Sequence, residues 1–510
     1  MNKLKASLPF ILLLIFVLTI QFFNFLDSEQ NSNHESWSRS INLGLETDNR
    51  SPLSIQTENG IDLYTPNNGK ILHQTVKPDL TVQKHSDIKV PIGSQDTFWT
   101  NGTDVMYVKN NTLTLHSASG ESKNLLEDVK QFKANENLAV AVTEQDIYTI
   151  DLKSFEPVKQ SLLAGPIEDL VVTLDATSFM TVTKADASIL LFSLHQNTES
   201  NWKTTELFQY NTNLDSYSGV DYSIIDGSIH IIYTSSSRKG GGDLQLTNFY
   251  TNSPLASLPN ELTFTKLKVF EGEDQLPLIK NFNIVEMDNK VNLLFASTNE
   301  LNGRDLTNVF KAELLNDTWT ASRIGTSDLQ SSKPMMINES IITWLDFDAK
   351  KDIYYVMGAS TNEKAIESSL KLTKSDYVQA ISRTIFSLSG ALIFLAVSFL
   401  VLIPPTVLLI SMNFFNIYNK TRFMWIAIAS YFITQFYFIQ RFFDSPSISE
   451  GPFFIDFSYS QFILPLVTAA LSFLIYYVVR NKEWSEEVNV VYIVSLHMFM
   501  MVIMVGPFVF

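Results

Sequence analysis

Ile231-Ile-Tyr-Thr-Ser-Ser-Ser-Arg-Lys-Gly-Gly-Gly-Asp-Leu244 returns sixty-two residues later as Leu293-Leu-Phe-Ala-Ser-Thr-Asn-Glu-Leu-Asn-Gly-Arg-Asp-Leu306. Without a gap, Tyr233 falls on Phe295, Ser235 on Ser297, Gly241 on Gly303 and Asp243 on Asp305. Each copy is an apolar strand, a polar turn containing glycine and a second strand, which is the pattern of a β-hairpin. A hairpin that repeats over tens of residues predicts one sheet per repeat, stacked side by side around an axis.

The same pattern continues on both sides of this pair. Turns led by Asn or Asp precede apolar strands at Asn59-Gly60, Asn101-Gly102, Asn135-Glu136, Asp175-Ala176, Asp226-Gly227, Asp288-Asn289 and Asn338-Glu339. Asp104-Val-Met-Tyr-Val-Lys, the turn Asn110-Asn111 and Thr112-Leu-Thr-Leu-His form a typical unit, alternating with period two. A second echo places Trp202 and Trp319 just after polar turns, each opening an alternating strand. Runs with helical period are nearly absent here, which excludes a parallel α/β fold. Blades of four strands fit repeats of ~40–50 residues. The expected fold is therefore a mainly β propeller of about seven blades, with six to eight compatible with the spacings, joined to α-helical transmembrane segments. The turn-Trp pattern resembles the sialidase-like propellers with Asp-box repeats. Their Ser-x-Asp-x-Gly-x-Thr-Trp string is nowhere intact, so the resemblance extends to the blade pattern and carries no active site.

Apolar character outside the propeller is concentrated at the two ends. Lys3 and Lys5 precede an apolar run of nineteen residues, 8–26, which ends on bulky residues. A cleaved signal peptide would end on small ones. The run is long enough to cross a hydrocarbon core of ~30 Å. The expected organisation is a signal-anchor helix at 1–26, a linker at 27–50, the propeller at 51–374, a helical stalk at 375–384 capped by Ser375-Asp376, and four spans within 385–510. The spans are read at 385–412, 423–439, 462–479 and 488–509, with Pro404-Pro405 breaking the first. Lys420 with Arg422 and Arg480 with Lys482 mark two doubly basic loops, and the positive-inside rule puts both in the cytoplasm. The expected location is the cell membrane, multi-pass, with the N-terminus cytoplasmic and both the large domain and the C-terminus extracytoplasmic.

The chain carries a formal charge of −16 and no cysteine. The stretch 27–382 holds 29 basic and 47 acidic residues, a balance of −18 that argues against nucleic acid as a partner. Lack of cysteine removes disulfides, thiolate metal sites and Cys nucleophiles, and an outer domain without it fits a bacterial envelope.

Candidate chemistry is sparse. Arg238, Asp243, Arg304 and Asp305 are candidate binding-loop residues, with Asp after Gly more often bonding its own turn. Asp346, Asp348 and Asp352 place three carboxylates at one hairpin, a hint of calcium without the Gly and Glu of an EF-type loop. His497, Met501 and Met504 fall on one helix face, as a Cu(I) site would require, although Met and a lone His also serve packing and hydrogen bonding. Thr434 and Gln435 are candidate polar contacts inside the membrane. No catalytic set and no cofactor site is recognisable. The expected function is non-enzymatic binding, assembly or sensing, engaging an envelope component or a partner membrane protein. A surface-anchored glycan hydrolase predicts carboxylates or arginines converging at the propeller mouth, and a copper or small-solute transport component predicts a polar or Met-lined cavity among the spans.

Overall fold

A computed structural model describes residues 2–30, 36–58, 60–173, 177–198, 201–213, 215–239, 243–258, 262–301, 304–315, 318–415, 419–443, 455, 457, 459–480 and 484–508. The chain divides into two compact units: residues 1–31 with 372–510, and residues 32–371.

The second unit is a seven-bladed β-propeller. Seven sheets follow one another, antiparallel except for one short parallel pair at the edge of blade 6, and the first strands of blades 2 to 7 pack in succession around a common axis. These inner strands are Leu53–Thr57, Phe98–Thr100, Gln131–Ala134, Ile167–Val172, Ser216–Ile225, Ile279–Met287 and Gln330–Asn338, in blades 1 to 7. The turn pairs at Asn101, Asn135, Asp226, Asp288 and Asn338 join the first and second strands of blades 2, 3, 5, 6 and 7, whereas Asn59 and Asp175-Ala176 lie outside the described residues. The cause is local. The Oδ1 of Asn101 accepts from the N–H groups of Thr103 and Asp104, and that of Asn135 from those of Asn137 and Leu138. Asp226, Gly227, Asp288 and Asn289 all take positive φ, as tight hairpin turns with two central residues require.

The duplicated hairpins are the second and third strands of blades 5 and 6: Ser228–Lys239 with Asp243–Pro254, and Lys290–Leu301 with Arg304–Leu315. Equivalent positions have equivalent environments, since Tyr233 and Phe295, like Ser235 and Ser297, are buried. Trp202 and Trp319 both sit near the start of a fourth strand. The long interval between the two hairpins holds the short strands Val269–Glu271 and Asp274–Gln275, which extend the outer edge of blade 6 to six strands. Arg323 clamps them: its Nε and Nη2 donate to Glu271 at 3.2 and 2.9 Å, and its guanidinium lies 5.1 Å from the Phe310 ring.

The expected linker at 27–50 is corrected. Residues 27–30 continue the first helix, and Ile41–Thr47 is the outermost strand of blade 7, antiparallel to Ile353–Ser360. The N-terminal segment thus closes the ring. Leu43 and Leu45 are buried in one cluster with Leu63, Leu72 and Val356. The Ser38 N–H donates to the Ser360 carbonyl at 2.8 Å, and the Ser40 hydroxyl to that of Thr326 at 2.7 Å. Ile-Asn-Leu-Gly-Leu-Glu-Thr does alternate, but polar flanks mask a strand this short.

The first unit is helical: α1 Asn2–Gln30, then, after a short propeller helix α2 Glu363–Ser369, α3 Lys374–Ser398, α4 Ile403–Phe414, α5 Lys420–Ile439, α6 Ser460–Val479 and α7 Glu486–Met504. Five segments, 6–30, 374–412, 420–439, 460–479 and 486–508, are long and apolar enough to cross a membrane. Most of α7 is buried, and the other helices keep large apolar side chains such as Leu12, Phe16, Phe386 and Ile433 exposed. The expected stalk is the first part of α3. It starts two residues earlier than the Ser375-Asp376 cap, because Thr373 and Asp376 form a reciprocal capping box. The prolines act as expected: a 3₁₀ turn at Phe399–Leu402 ends α3, and Pro404-Pro405 fall in the first turn of α4, where a missing N–H costs nothing.

Candidate functional site

The inner strands bring together groups that lie far apart in the sequence. Four of them carry a register shift near their start: Ile167/Asp169 in blade 4, Tyr217/Gly219 in blade 5, Lys280/Asn283 in blade 6 and Ser332/Met335 in blade 7. In blade 7 the cause is Pro334, which cannot donate to a ladder and forces a bulge. Lys333, just before it, is held at φ +50°, and Asn281 occupies the matching position in blade 6 at φ +49°. Left-handed backbone at residues other than glycine stores strain and tends to gather at functional positions. The Pro334 carbonyl is taken by Asn283 Nδ2 from blade 6 at 2.5 Å, and Lys333 Nζ donates to the Asn49 carbonyl at 2.6 Å.

Blade-to-blade bonds of this kind recur around the axis. Gln131 Nε2 donates to the Glu168 carbonyl at 2.9 Å, the Tyr217 hydroxyl to Asp169 at 2.9 Å, and the Ile284 N–H to Asp221 at 2.7 Å. Arg50 donates to the Gln95 carbonyl, and Gln95 Nε2 returns a bond to that of Asp48 at 2.6 Å.

Within this ring lies a cavity of about 750 Å³, lined by residues 49–54 and 56, by Gln95, Thr97 and Phe98, by residues 132–136, by Val172, and by Lys333 with residues 335–337. Five blades contribute. Its charged residues are Arg50, Lys133, Lys333 and Glu136. None of the three cations makes an ion pair among the described residues. Burial, then repulsion from Arg50 and Lys133, holds the Lys333 ammonium below its usual range. Burial also lowers Arg50, partly offset by Asp96.

Asp169 and Asp221 lie on the inner strands of blades 4 and 5. Asp221 is pushed up to about 7 by burial, against the pull of the Ile284 and Tyr222 N–H groups and Lys133, and with repulsion from Asp169. Burial also raises Asp169, against the Tyr217 hydroxyl and Lys133.

The residues singled out in the sequence lie elsewhere. Arg238 is exposed opposite Leu244, and Asp305 is exposed opposite Glu300, on the second and third strands of their blades. The side chains of Asp243 and Arg304, and residues Asp175, Gly241, Gly303, Asp317 and Lys482, lie outside the described residues. Asp346 is fully buried and accepts from the Ser331 hydroxyl at 2.7 Å and the Trp344 indole at 2.9 Å. Asp348 accepts from the Lys350 N–H and Asp352 ends the turn at φ +56°, so the three carboxylates are spread along the hairpin. Among the described residues no three His, Cys, Asp or Glu side chains are grouped as a metal site.

His497 is a buried hub. Its Nδ1 lies 2.9 Å from the Tyr431 hydroxyl of α5, and its Nε2 lies 3.1 Å from the Thr468 hydroxyl of α6. That hydroxyl also lies 3.3 Å from Met501 Sδ. Both ring nitrogens are thereby engaged, and Met504 is only partly buried. Thr434 bonds the Ser430 carbonyl at 2.8 Å, whereas Gln435, 1% exposed, has no partner for either amide atom among the described residues. Arg50, Lys133 and Lys333 escape a sequence reading because each is an ordinary surface-type cation. The one local signal is Pro334, a proline inside a strand pattern.

No family model matches the sequence, and no curated protein matches it. Among solved structures the chain is similar to the N-terminal domain of Nup159, at 10% identity and TM-score 0.39, covering 64% of this chain and 97% of that one. It is similar to an alpha-L-arabinanase of Penicillium chrysogenum, at 12% identity and TM-score 0.35, covering 61% and 93%. It is also similar to the WD40 domain of SCAP from fission yeast, at 8% identity and TM-score 0.35, covering 65% and 100%. The propeller itself rests on the sheet topology.

Proposed function

We propose that this chain is a membrane-anchored, non-enzymatic binding and assembly protein. Its propeller takes an envelope component or partner protein at the axial cavity, and its helical unit docks to another membrane protein. The observation that carries the reading is the cavity. Its volume of about 750 Å³ lies within the usual range of ligand sites, and rigid inner strands position its polar groups.

Retention of the N-terminal helix is supported by its specific contacts inside the helical unit. Gln21 Nε2 donates to the Ile503 carbonyl of α7 at 3.0 Å, and Gln21 Oε1 accepts from Ser387 of α3 at 3.3 Å. Arg383 reaches Glu29 at 3.2 Å and lies 4.4 Å from the Phe25 ring. A polar residue inside a span is expensive unless satisfied, and Gln21 is satisfied only by neighbouring helices. The basic loops around Lys420 and Arg480 support cytoplasmic placement of both and an extracytoplasmic C-terminus.

Purification of the full chain from mild detergent after photo-crosslinking from position Met336, in the cavity wall, tests the reading. A specific crosslinked partner is the expected outcome. Recovery of only an uncrosslinked monomer would sink it.

A hydrolytic reading has one observation in its favour: Asp221 keeps a proton near neutrality, as an acid catalyst must, on the inner strand of the blade that follows the one carrying Asp169. Both carboxylates are engaged in bonds that join blades, so binding remains the reading the geometry supports best.

A further inference from the structure

The propeller region is strongly acidic, yet three cations meet on its axis. Arg50, Lys133 and Lys333 line the cavity against the single carboxylate of Glu136, a local balance of +2. Two of the three donate to neutral carbonyls, those of Gln95 and Asn49, and the Lys133 side chain has no hydrogen bond among the described residues. Arg50 Nε is buried without a partner. Unpaired cations in a partly desolvated space repel one another; burial first, and then repulsion from Arg50 and Lys133, lowers the proton affinity of Lys333. Asp96, which attracts Arg50, and Asp169 and Asp221, which attract Lys133, soften it from outside the lining, and the latter two are committed to Tyr217 and Ile284. The remaining wall mixes polar side chains, such as Ser54, Gln56, Thr97 and Asn135, with an apolar set of Phe98, Phe132, Met335 and Met336.

We infer that the axial cavity binds an organic phosphate, its dianionic group held by Arg50, Lys133 and Lys333 and its apolar part lying against Phe98, Phe132 and the two methionines. Three features favour this class. A phosphate monoester carries about −1.5 to −2 charges at pH 7, which matches the excess of the lining. Arg and Lys together supply the charge-assisted donors that phosphate oxygens accept. The cavity is also far larger than a bare inorganic anion needs, and its apolar residues, Phe98, Phe132, Met335 and Met336, offer contact to the organic part. The inference rests on the binding reading proposed above and specifies its ligand.

Calorimetric titration of the full chain in detergent tests it, with phenyl phosphate as the probe and inorganic phosphate and phenyl sulfate as comparisons. Phenyl phosphate is expected to bind with a Kd below about 1 mM at low salt and more weakly as salt rises. Inorganic phosphate lacks the apolar contact and phenyl sulfate lacks the second charge, so both should bind more weakly. Lys133→Gln, a change at an exposed side chain, should weaken phenyl phosphate about tenfold while the melting temperature stays unchanged. Lys333→Gln should do the same, with its melting curve as control because its ammonium also bonds Asn49.

Absence of phenyl phosphate binding by the folded wild-type chain overturns the inference, as does equal binding of phenyl sulfate or a Lys133→Gln chain that binds like wild type. Crosslinking from Met336 reads the binding proposal separately. A partner captured by a chain that ignores phenyl phosphate defeats the ligand assignment and leaves the binding reading standing.

Discussion

Asp221 and His195 make opposite contributions to stability as pH changes. Burial lifts the Asp221 carboxyl to about 7, so between pH 4 and 7 the folded chain holds a proton that the unfolded chain has released. Stability from this group therefore falls as pH rises through that window. His195 is buried, stacks on Phe179 at 4.5 Å and is bonded by Thr181 and Thr204 at 3.0 Å each, and burial holds its imidazole down to about 4. Here the unfolded chain binds the extra proton, so stability falls as pH drops from 6.5 towards 4. The two effects overlap and partly cancel in the wild type, and substitution separates them. Asp221→Asn should remove a loss of about 2 kcal/mol between pH 5.5 and 7.5 and flatten that limb of the propeller's melting profile. His195→Gln should flatten the acid limb instead. Scanning calorimetry across pH reads both; an unchanged slope in Asp221→Asn would show that this carboxyl titrates normally.

Ring closure illustrates what a strand contributes and why a sequence can hide it. Ile41–Thr47 buries Leu43 and Leu45, each 1% exposed, between the cores of blades 7 and 1. Leu45→Ala should cost about 2–5 kcal/mol, as for other buried leucines, and Leu45→Asp should prevent cooperative melting of the propeller; denaturant titration of the two variants checks this. The turn pairs were legible because their cause is local: an Asx side chain caps its own loop, so Asn101 and Asn135 announce themselves within four residues. The partner of Ile41–Thr47 is Ile353–Ser360, and nothing near residue 41 points to it. Lys333 is intermediate. Pro334 signals a bulge in the inner strand of blade 7, but that this bulge faces Lys133 and Arg50 follows only from the circular order of the blades. His497 was legible as a polar position in a span, and its partners Tyr431 and Thr468 were not, because helix rotation is set by packing across three helices.

The division of the whole molecule into two units gives the closure argument its sharpest consequence. Residues 32–371 contain all seven sheets, their closing strand and the core clusters beneath them, while the helical unit has a separate core built around Phe394, Tyr431 and Met501. A fragment spanning 36–371 should therefore fold without detergent as a monomer with a single cooperative melt. A fragment starting at residue 51, the boundary the sequence pattern proposes, lacks the fourth strand of blade 7. That loss uncovers one edge of Ile353–Ser360 and removes Leu43 and Leu45 from a cluster shared with Leu63, Leu72 and Val356. Two buried leucines contribute about 3–6 kcal/mol, a large part of the net stability of an ordinary domain, and an unpaired edge invites association. Fragment 51–371 should thus elute as aggregate or melt without cooperativity. A separate peptide covering 36–50 should restore a cooperative transition if added during refolding, because the lost strand supplies pairing and burial rather than a covalent link. Size-exclusion chromatography and circular dichroism melting of the two fragments decide the matter. Equal midpoints and monomeric elution for both would show that the propeller holds its ring through the inner-strand bonds alone, with the N-terminal strand as an ornament on blade 7.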